Sequence, residues 1–189
     1  MTERLVLRRF SESDFSAFAA YRTRKEVYRY LYAAPPQGEA LRQKFDKARM
    51  ATFAQDGDMF KLAVVRKNDR LLVGEVSLKL ESEAALQGEV GYVFNPDYGG
   101  RGYATEAVKA MIDLGFSVFG FHRIFARLDT QNTGSIGVVE RLGLRREAHL
   151  IENDRFDGVW GDEYIYAILA REWGRGGLEP ANPSSSVAD

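Results

Sequence analysis

The 189-residue sequence has no cysteine, two histidines, five prolines and almost no excess charge, with 26 basic residues against 27 acidic. Without cysteine there is no disulfide framework, no thiolate nucleophile and no zinc-thiolate site. His122 and His149 do not make a dedicated histidine metal site, so no metal is expected. A net charge of −1 gives no global attraction to nucleic acid or to an anionic membrane. No apolar run reaches the length that spans a bilayer, and the opening MTERLVLRRF lacks the apolar core of a signal peptide. The expected location is the cytoplasm, with no membrane partner. What the chain does have is 45% hydrophobic residues, enough for one packed core.

The most informative stretch is EVGYVFNPDYGGRGYATE, Glu89 to Glu106. Its first half alternates as a strand, with Val90, Tyr92 and Phe94 on one face and Glu89, Gly91, Val93 and Asn95 on the other. Asn95-Pro96 stops it. Gly99, Gly100, Arg101 and Gly102 then form a loop that runs into a helical pattern at Tyr103-Ala104. A strand, a glycine loop and a helix N-terminus in that order gather unpaired N–H groups and the positive end of a helix dipole, which suits an anion.

Around this centre the order of elements is legible. Arg4 to Phe10 reads as a strand, followed by a helix capped at Ser11 and Asp14. Arg22 to Tyr32 mixes Tyr21, Tyr28, Tyr30 and Tyr32 with Arg22, Arg24, Lys25 and Arg29. Such a mixture suits nucleobase stacking, a semi-exposed helix with buried rings, or a substrate wall. The neutral overall charge favours the helix and disfavours nucleic acid. Gln37 to Phe53 reads as an amphipathic helix on Leu41, Phe45 and Ala48. Phe60 to Leu80 reads as a hairpin turning at Asn68-Asp69. After the central stretch, Val108, Met111, Ile112 and Gly115 place one helix stripe on the sheet. His122 to Leu128 is a strand and Thr133 to Leu142 a helix closed by Gly143. Arg145 to Ile151, a turn around Asn153 to Gly158, and Val159 to Leu169 follow, the last strand apolar on both faces and so inside the sheet. Residues 1–173 make one domain; the Gly, Pro and Ser-rich tail, residues 174–189, is expected to be disordered.

A P-loop would require Gly-Lys-Ser/Thr where Tyr103 follows Gly102, and a dinucleotide fingerprint would require Gly or Ala where Thr105 stands. The pattern Gly99-x-x-Gly102-x-Ala104 after Asn95-Pro96 instead resembles motif A of the GCN5-related N-acetyltransferase (GNAT) superfamily. Asn132-x-x-Ser135-Ile136 with Glu140-Arg141-Leu142-Gly143, the N-terminal Arg4-Leu5-x-Leu7-Arg8, and Asp162-Glu163-Tyr164-x-Tyr166 extend the resemblance over most of residues 3 to 173. It is most similar to the branch of the ribosomal-protein N-terminal acetyltransferases (RimJ/RimL-like).

The resemblance implies an α/β (α+β) GNAT fold: a mixed, mostly antiparallel central sheet with a splayed parallel strand pair and helices on both faces. It implies acetyl-CoA as acyl-donor cosubstrate, direct transfer to a primary amine, and a monomer or homodimer. The pantetheine arm would pair with the backbone at Val93, Phe94 and Asn95, the pyrophosphate with Gly99, Gly100, Arg101, Gly102, Tyr103, Ala104 and Thr105. Asn132 would contact the pantetheine amides. The family's usual tyrosine acid is absent, since its region reads Val138-Val139-Glu140, and the branch nominates Ser135 in its place. An N–H near Val93 or Phe94 would hold the oxyanion. Glu89, on the cofactor-proximal strand, is the first choice of base, with Asp154 and Glu152 as alternatives. An α-amine is partly neutral near pH 7, whereas a lysine amine needs about 4–5 kcal/mol of help to deprotonate. The expected acceptor is a primary amine, with a protein N-terminus in front. A small-molecule amine (aminoglycoside, polyamine or amino acid) and a non-catalytic acyl-CoA sensor are the alternatives.

Overall fold

The computed structural model describes residues 2–50 and 53–174. Within them the chain runs β1 (Leu5–Arg8), α1 (Phe15–Arg22), α2 (Gly38–Arg49), β2 (Met59–Arg66), β3 (Leu72–Ser82) and β4 (Gln87–Phe94). It continues with α3 (Tyr103–Ser117), β5 (Arg123–Asp129), α4 (Thr133–Arg141), β6 (Arg145–Phe156) and β7 (Val159–Leu169). The strands form one seven-stranded sheet in the order β1-β2-β3-β4-β5-β7-β6. Every neighbouring pair is antiparallel except β4 and β5, which run parallel.

Alternation along the strands assigns the two faces. Val76, Leu78, Val90, Ile124 and Ala126 pack with Met111 and Ile112 of α3 and Val138 and Val139 of α4. Ala63 and Val65 face the other way and pack with Phe18 and Tyr21 of α1 and Phe45 of α2. Each fully buried Ile, Leu, Phe or Met contributes roughly 1.5–3 kcal/mol, so both faces anchor their helices. None of the helices among the described residues is long and apolar enough to cross a membrane.

The last strand does lie inside the sheet, between β5 and β6. Three local expectations change. The β6–β7 turn is not Asn153 to Gly158: β6 runs on to Phe156, and Asp157-Gly158 alone makes the turn, with φ of 50° and 81°. That is the two-residue Asp-Gly geometry whose twist matches a hairpin. The segment after α1 is not a continuous helix, because α1 ends at Arg22, where the Thr23 hydroxyl donates to the Ala19 carbonyl at 2.9 Å, and only a 3-10 turn at Lys25–Tyr28 follows. Tyr21 and Tyr28 are buried there, which removes two of the aromatic platforms a nucleic-acid surface would use. Helix α2 ends at Arg49 rather than Phe53. Of the tail expected to be disordered, residues 175–189 lie outside the described residues.

Candidate active site

Strands β4 and β5 pair only at Gln87, Gly88 and Glu89, opposite Arg123, Ile124 and Phe125. Beyond Glu89 they separate, while β4 keeps its other edge on β3 as far as Phe94. The open edge of β4 therefore presents main-chain groups to a wedge. Alternation decides which: the Asn95 N–H donates to Val73 at 2.9 Å, and the Leu86 carbonyl accepts from His122 at 2.8 Å. Even-numbered groups face the wedge, so Tyr92 and Phe94 supply donors and acceptors there. Val93 turns its groups to β3, where a Cβ built on Gly74 would lie 2.6 Å from the Val93 carbonyl oxygen, and Asn95 spends its N–H on β3 and its carbonyl on the Tyr98 N–H at 3.0 Å. The oxyanion donor expected near Val93 or Phe94 thus narrows to Phe94, with Tyr92 beside it. Asn95 also spends its side chain, accepting from the Asp97 N–H at 3.1 Å and from Arg24 at 3.2 Å.

Where β4 ends, Gly100 and Gly102 adopt φ of 71° and 78°, and Gly102 caps α3. This left-handed backbone is what glycine allows at no steric cost. A cavity of about 500 Å³ opens there, lined by Phe94, the loop from Gly99 to Thr105, and Thr133, Gly134 and Arg141 across from it. The first-turn N–H groups of α3 have no intrahelical partner, so this cavity is built for an anion. The sequence places Arg141 in the second motif block but does not say that it lines this cavity. Arg141 folds back over Gly137, whose added Cβ would lie 3.1 Å from Nη1, and its Nε donates to the Thr105 hydroxyl at 3.4 Å. The i, i+4 spacing from Gly137 was the available signal.

Asn132 caps α4, its Oδ1 accepting from the Ser135 N–H at 3.1 Å, which leaves its amide nitrogen as a donor. Ser135 sits in the first turn, and its carbonyl accepts from the Tyr92 hydroxyl at 3.0 Å. That bond crosses the wedge from β4 to α4. Burial pushes the Tyr92 phenol up to about 12, against the pull of Ser135 and Arg141, so it stays protonated. A larger hollow of about 1020 Å³ lies between α3, the end of α4 and residues 171–174. It shares only Arg141 with the first and contains none of the candidate catalytic groups.

The opposite face of the fork is polar. Glu89 is half-buried at the last paired position and makes no side-chain hydrogen bond among the described residues. Burial pushes its carboxyl up; Lys79 and Arg127 pull it down, and Glu81 and Glu163 add to the rise. Glu163 was missed because its strand looks apolar on both faces. It is buried and receives Arg127 Nη2 at 2.9 Å and the Asn153 side-chain amide. Two extra residues in β6 between Leu150 and Asp154 form a bulge, a device that re-aims side chains beside sites, and Asn153 is the side chain it delivers. Asp154 is half-buried opposite Gly161 and bears on Tyr32, while Glu163 is the β7 carboxylate that bears on Glu89. Glu152 is exposed and gives only its N–H, to Asp162 at 2.8 Å.

Residues 24–32 span the open end of the fork. Arg24 reaches Asp97, just past β4, at 2.8 Å. The Tyr32 hydroxyl donates to Asp129, at the end of β5, at 2.6 Å. Tyr32 has φ of 46°, and its ring lies so close to Gly161 that an added Cβ would meet its hydroxyl at 2.3 Å. Of the sequence options, the buried-ring reading holds for Tyr21 and Tyr28, though on a 3-10 turn rather than a helix, while Tyr32 lies at the fork.

Residues 4–145 match the family model described as an acetyltransferase (GNAT) domain. The chain is 32% identical to the uncharacterized N-acetyltransferase YnaD of Bacillus subtilis, over 91% of this chain and 97% of YnaD. It is 24% identical to a spermidine N(1)-acetyltransferase of Escherichia coli, over 79% of this chain and 84% of that one. The crystal structure of a GNAT-family acetyltransferase from Bacillus anthracis superposes with a TM-score of 0.82 at 32% identity, covering 91% of this chain and 98% of the other.

Proposed function

The chain belongs to the GNAT acetyltransferase family and is an acetyl-CoA-dependent N-acetyltransferase; we propose that it acetylates a small cationic primary amine, with Glu89 as general base. The carrying observation is the half-buried Glu89 carboxylate at the fork, without a side-chain hydrogen bond among the described residues and on the face opposite the glycine loop. In this scheme the pyrophosphate takes the N–H groups of Gly100 to Thr105 with Arg101 and Arg141 beside it, the Gly99 N–H being spent on the Pro96 carbonyl at 2.9 Å. The pantetheine arm pairs with Tyr92 and Phe94 and meets the Asn132 amide. The amine, entering past Tyr32, gives its proton to Glu89 and attacks the thioester carbonyl carbon. The Phe94 N–H steadies the oxyanion. The C–S bond then breaks. The thiolate takes a proton from Ser135 or water, and that donor is restored by the surplus N–H proton of the new amide; the thiol's ordinary pKa near 8.5 demands only a weak donor.

The acceptor class follows from charge. Glu89, Asp129, Glu163 and Asp154 face this side, and Arg127 and Lys79 are the cations that bear on Glu89. An ammonium gains there and a carboxylate loses. The spermidine-acetylating relative supports the same class. A protein N-terminus is the second reading, favoured by Asn132-x-x-Ser135 and the absent tyrosine acid, which resemble the ribosomal-protein branch. A panel of diamines, polyamines, aminoglycosides and N-terminal peptides, read by free CoA release, tests both. Turnover of polyamines above peptides is the expected result; peptide preference selects the second reading. Tight CoA binding with no transfer to any amine would leave the sensor alternative.

A further inference from the structure

The glycine loop is held from behind by Arg4, the residue just before the first strand. Arg4 Nη1 donates to the Arg101 carbonyl at 2.9 Å. That carbonyl shares a planar trans peptide with the Gly102 N–H, so fixing one outward aims the other the opposite way. An anion cradle needs its N–H groups inward and its carbonyls outward. Arg4 meets that requirement at the residue between the two positive-φ glycines.

The same side chain handles a charge conflict. Glu106 lies in the first turn of α3, where a carboxylate favours the helix but repels a phosphate arriving at the same end. Arg4 Nε pairs with it at 2.7 Å, the Arg4 N–H donates to it at 2.8 Å and the Thr2 hydroxyl at 2.6 Å. These bonds hold the Glu106 carboxyl below its usual range although burial pushes it up. The Arg4 guanidinium also stacks 5.0 Å from the Tyr103 ring centre, and Leu5, next in sequence, is fully buried. The latch is thus anchored in the core.

We propose that Arg4 is a positioning residue for the CoA pyrophosphate, orienting the Arg101–Gly102 peptide and neutralising Glu106. This rests on the placement of the pyrophosphate at Gly100 to Thr105 proposed above. The test compares kcat/KM for acetyl-CoA with that for S-acetylpantetheine, which carries the same thioester and arm without the pyrophosphate. Arg4→Met should lower the acetyl-CoA to acetylpantetheine ratio about tenfold, the scale of one charge-assisted hydrogen bond, mainly through the KM for acetyl-CoA. Arg4→Lys should recover part, because an ammonium meets Glu106 or the carbonyl but cannot fork to both. An unchanged ratio, or an equal loss with both donors, overturns the proposal. Should Arg4→Met not fold, Arg4→Lys carries the same test against the same two outcomes. Gly102→Val, strained at φ 78°, separates the premises. If it collapses the ratio while Arg4→Met does not, the loop binds pyrophosphate without the latch; if neither moves it, the loop placement itself is wrong.

Discussion

Two glutamates on the same face of the sheet, fourteen positions apart on adjacent strands, have opposite surroundings. Glu75 on β3 is 2% exposed and fully partnered: Tyr21 donates at 2.8 Å, Lys61 at 2.7 Å, and Arg22 forks onto both oxygens. Burial would raise its carboxyl, but Lys61 and Arg22 outweigh that and hold it down to about 2. Glu89 on β4 is less buried yet makes no side-chain hydrogen bond among the described residues, and burial wins. Burial alone therefore does not set the direction of a carboxyl's shift. The difference is whether the fold has already met its charge. Glu75 ties α1 to the sheet, whereas Glu89 is left at the fork with proton affinity to spare.

The sharpest test of this contrast is Glu75→Gln. It strands the Arg22 guanidinium, itself 5% exposed, and breaking a buried pair from one side costs about 3–5 kcal/mol. A clear fall in the urea midpoint is expected, and an unchanged midpoint would erase the distinction. The same pair predicts a pH effect. A folded pKa near 2, below the unfolded 4.5, contributes stability that is complete above the unfolded value and is lost as pH falls from 4.5 toward 2. Glu75→Gln should flatten the acid limb of stability in that window.

Glu89→Gln comes next, read in rate rather than folding. Removing a general base costs about 10²- to 10⁴-fold in kcat/KM, with CoA affinity retained. The wild-type kcat/KM should rise with pH through a limb above the ordinary glutamate range, and the variant should lack it. A variant that keeps both rate and limb would move the base elsewhere, with Asp154 first in line. Arg127→Met has a smaller effect with a defined sign. Arg127 pulls the Glu89 carboxyl down, so its removal should shift that limb to higher pH, and a downward shift would show that the two groups are not neighbours in solution.

The sequence made some of this contrast visible and hid the rest. Glu89 was legible because a strand alternates, so its face and its distance from the glycine loop follow from counting. Gly99 to Ala104 was legible because anion binding by backbone leaves its mark in glycine. The Arg22–Glu75 pair was not: 53 positions separate the partners, and each alone resembles a solvated charge. Glu163 was concealed in a strand that reads as apolar on both faces. The run from Asn153 to Gly158 reads as one turn, and only packing decides that Asp157-Gly158 alone turns the hairpin while Asn153 joins the bulge against Glu163. Arg4 looked like a strand-end charge, and its contact with the loop 97 positions away is set by topology.

The smallest predicted effect is the most specific. A carboxyl whose folded pKa is raised favours the folded state below its unfolded pKa, and that contribution is lost as pH rises through the folded value. At neutral pH, ionised Glu89 therefore costs the fold something that the neutral amide of glutamine does not. Glu89→Gln should raise the thermal midpoint at pH 7 slightly, on the order of 1 kcal/mol or less for a partly solvated group, and the gain should vanish at pH 4. The inactive variant would then be the more stable one, the reverse of Glu75→Gln. Equal destabilisation by both substitutions would place Glu89 with Glu75 among the groups that hold the fold, and leave the fork without its base.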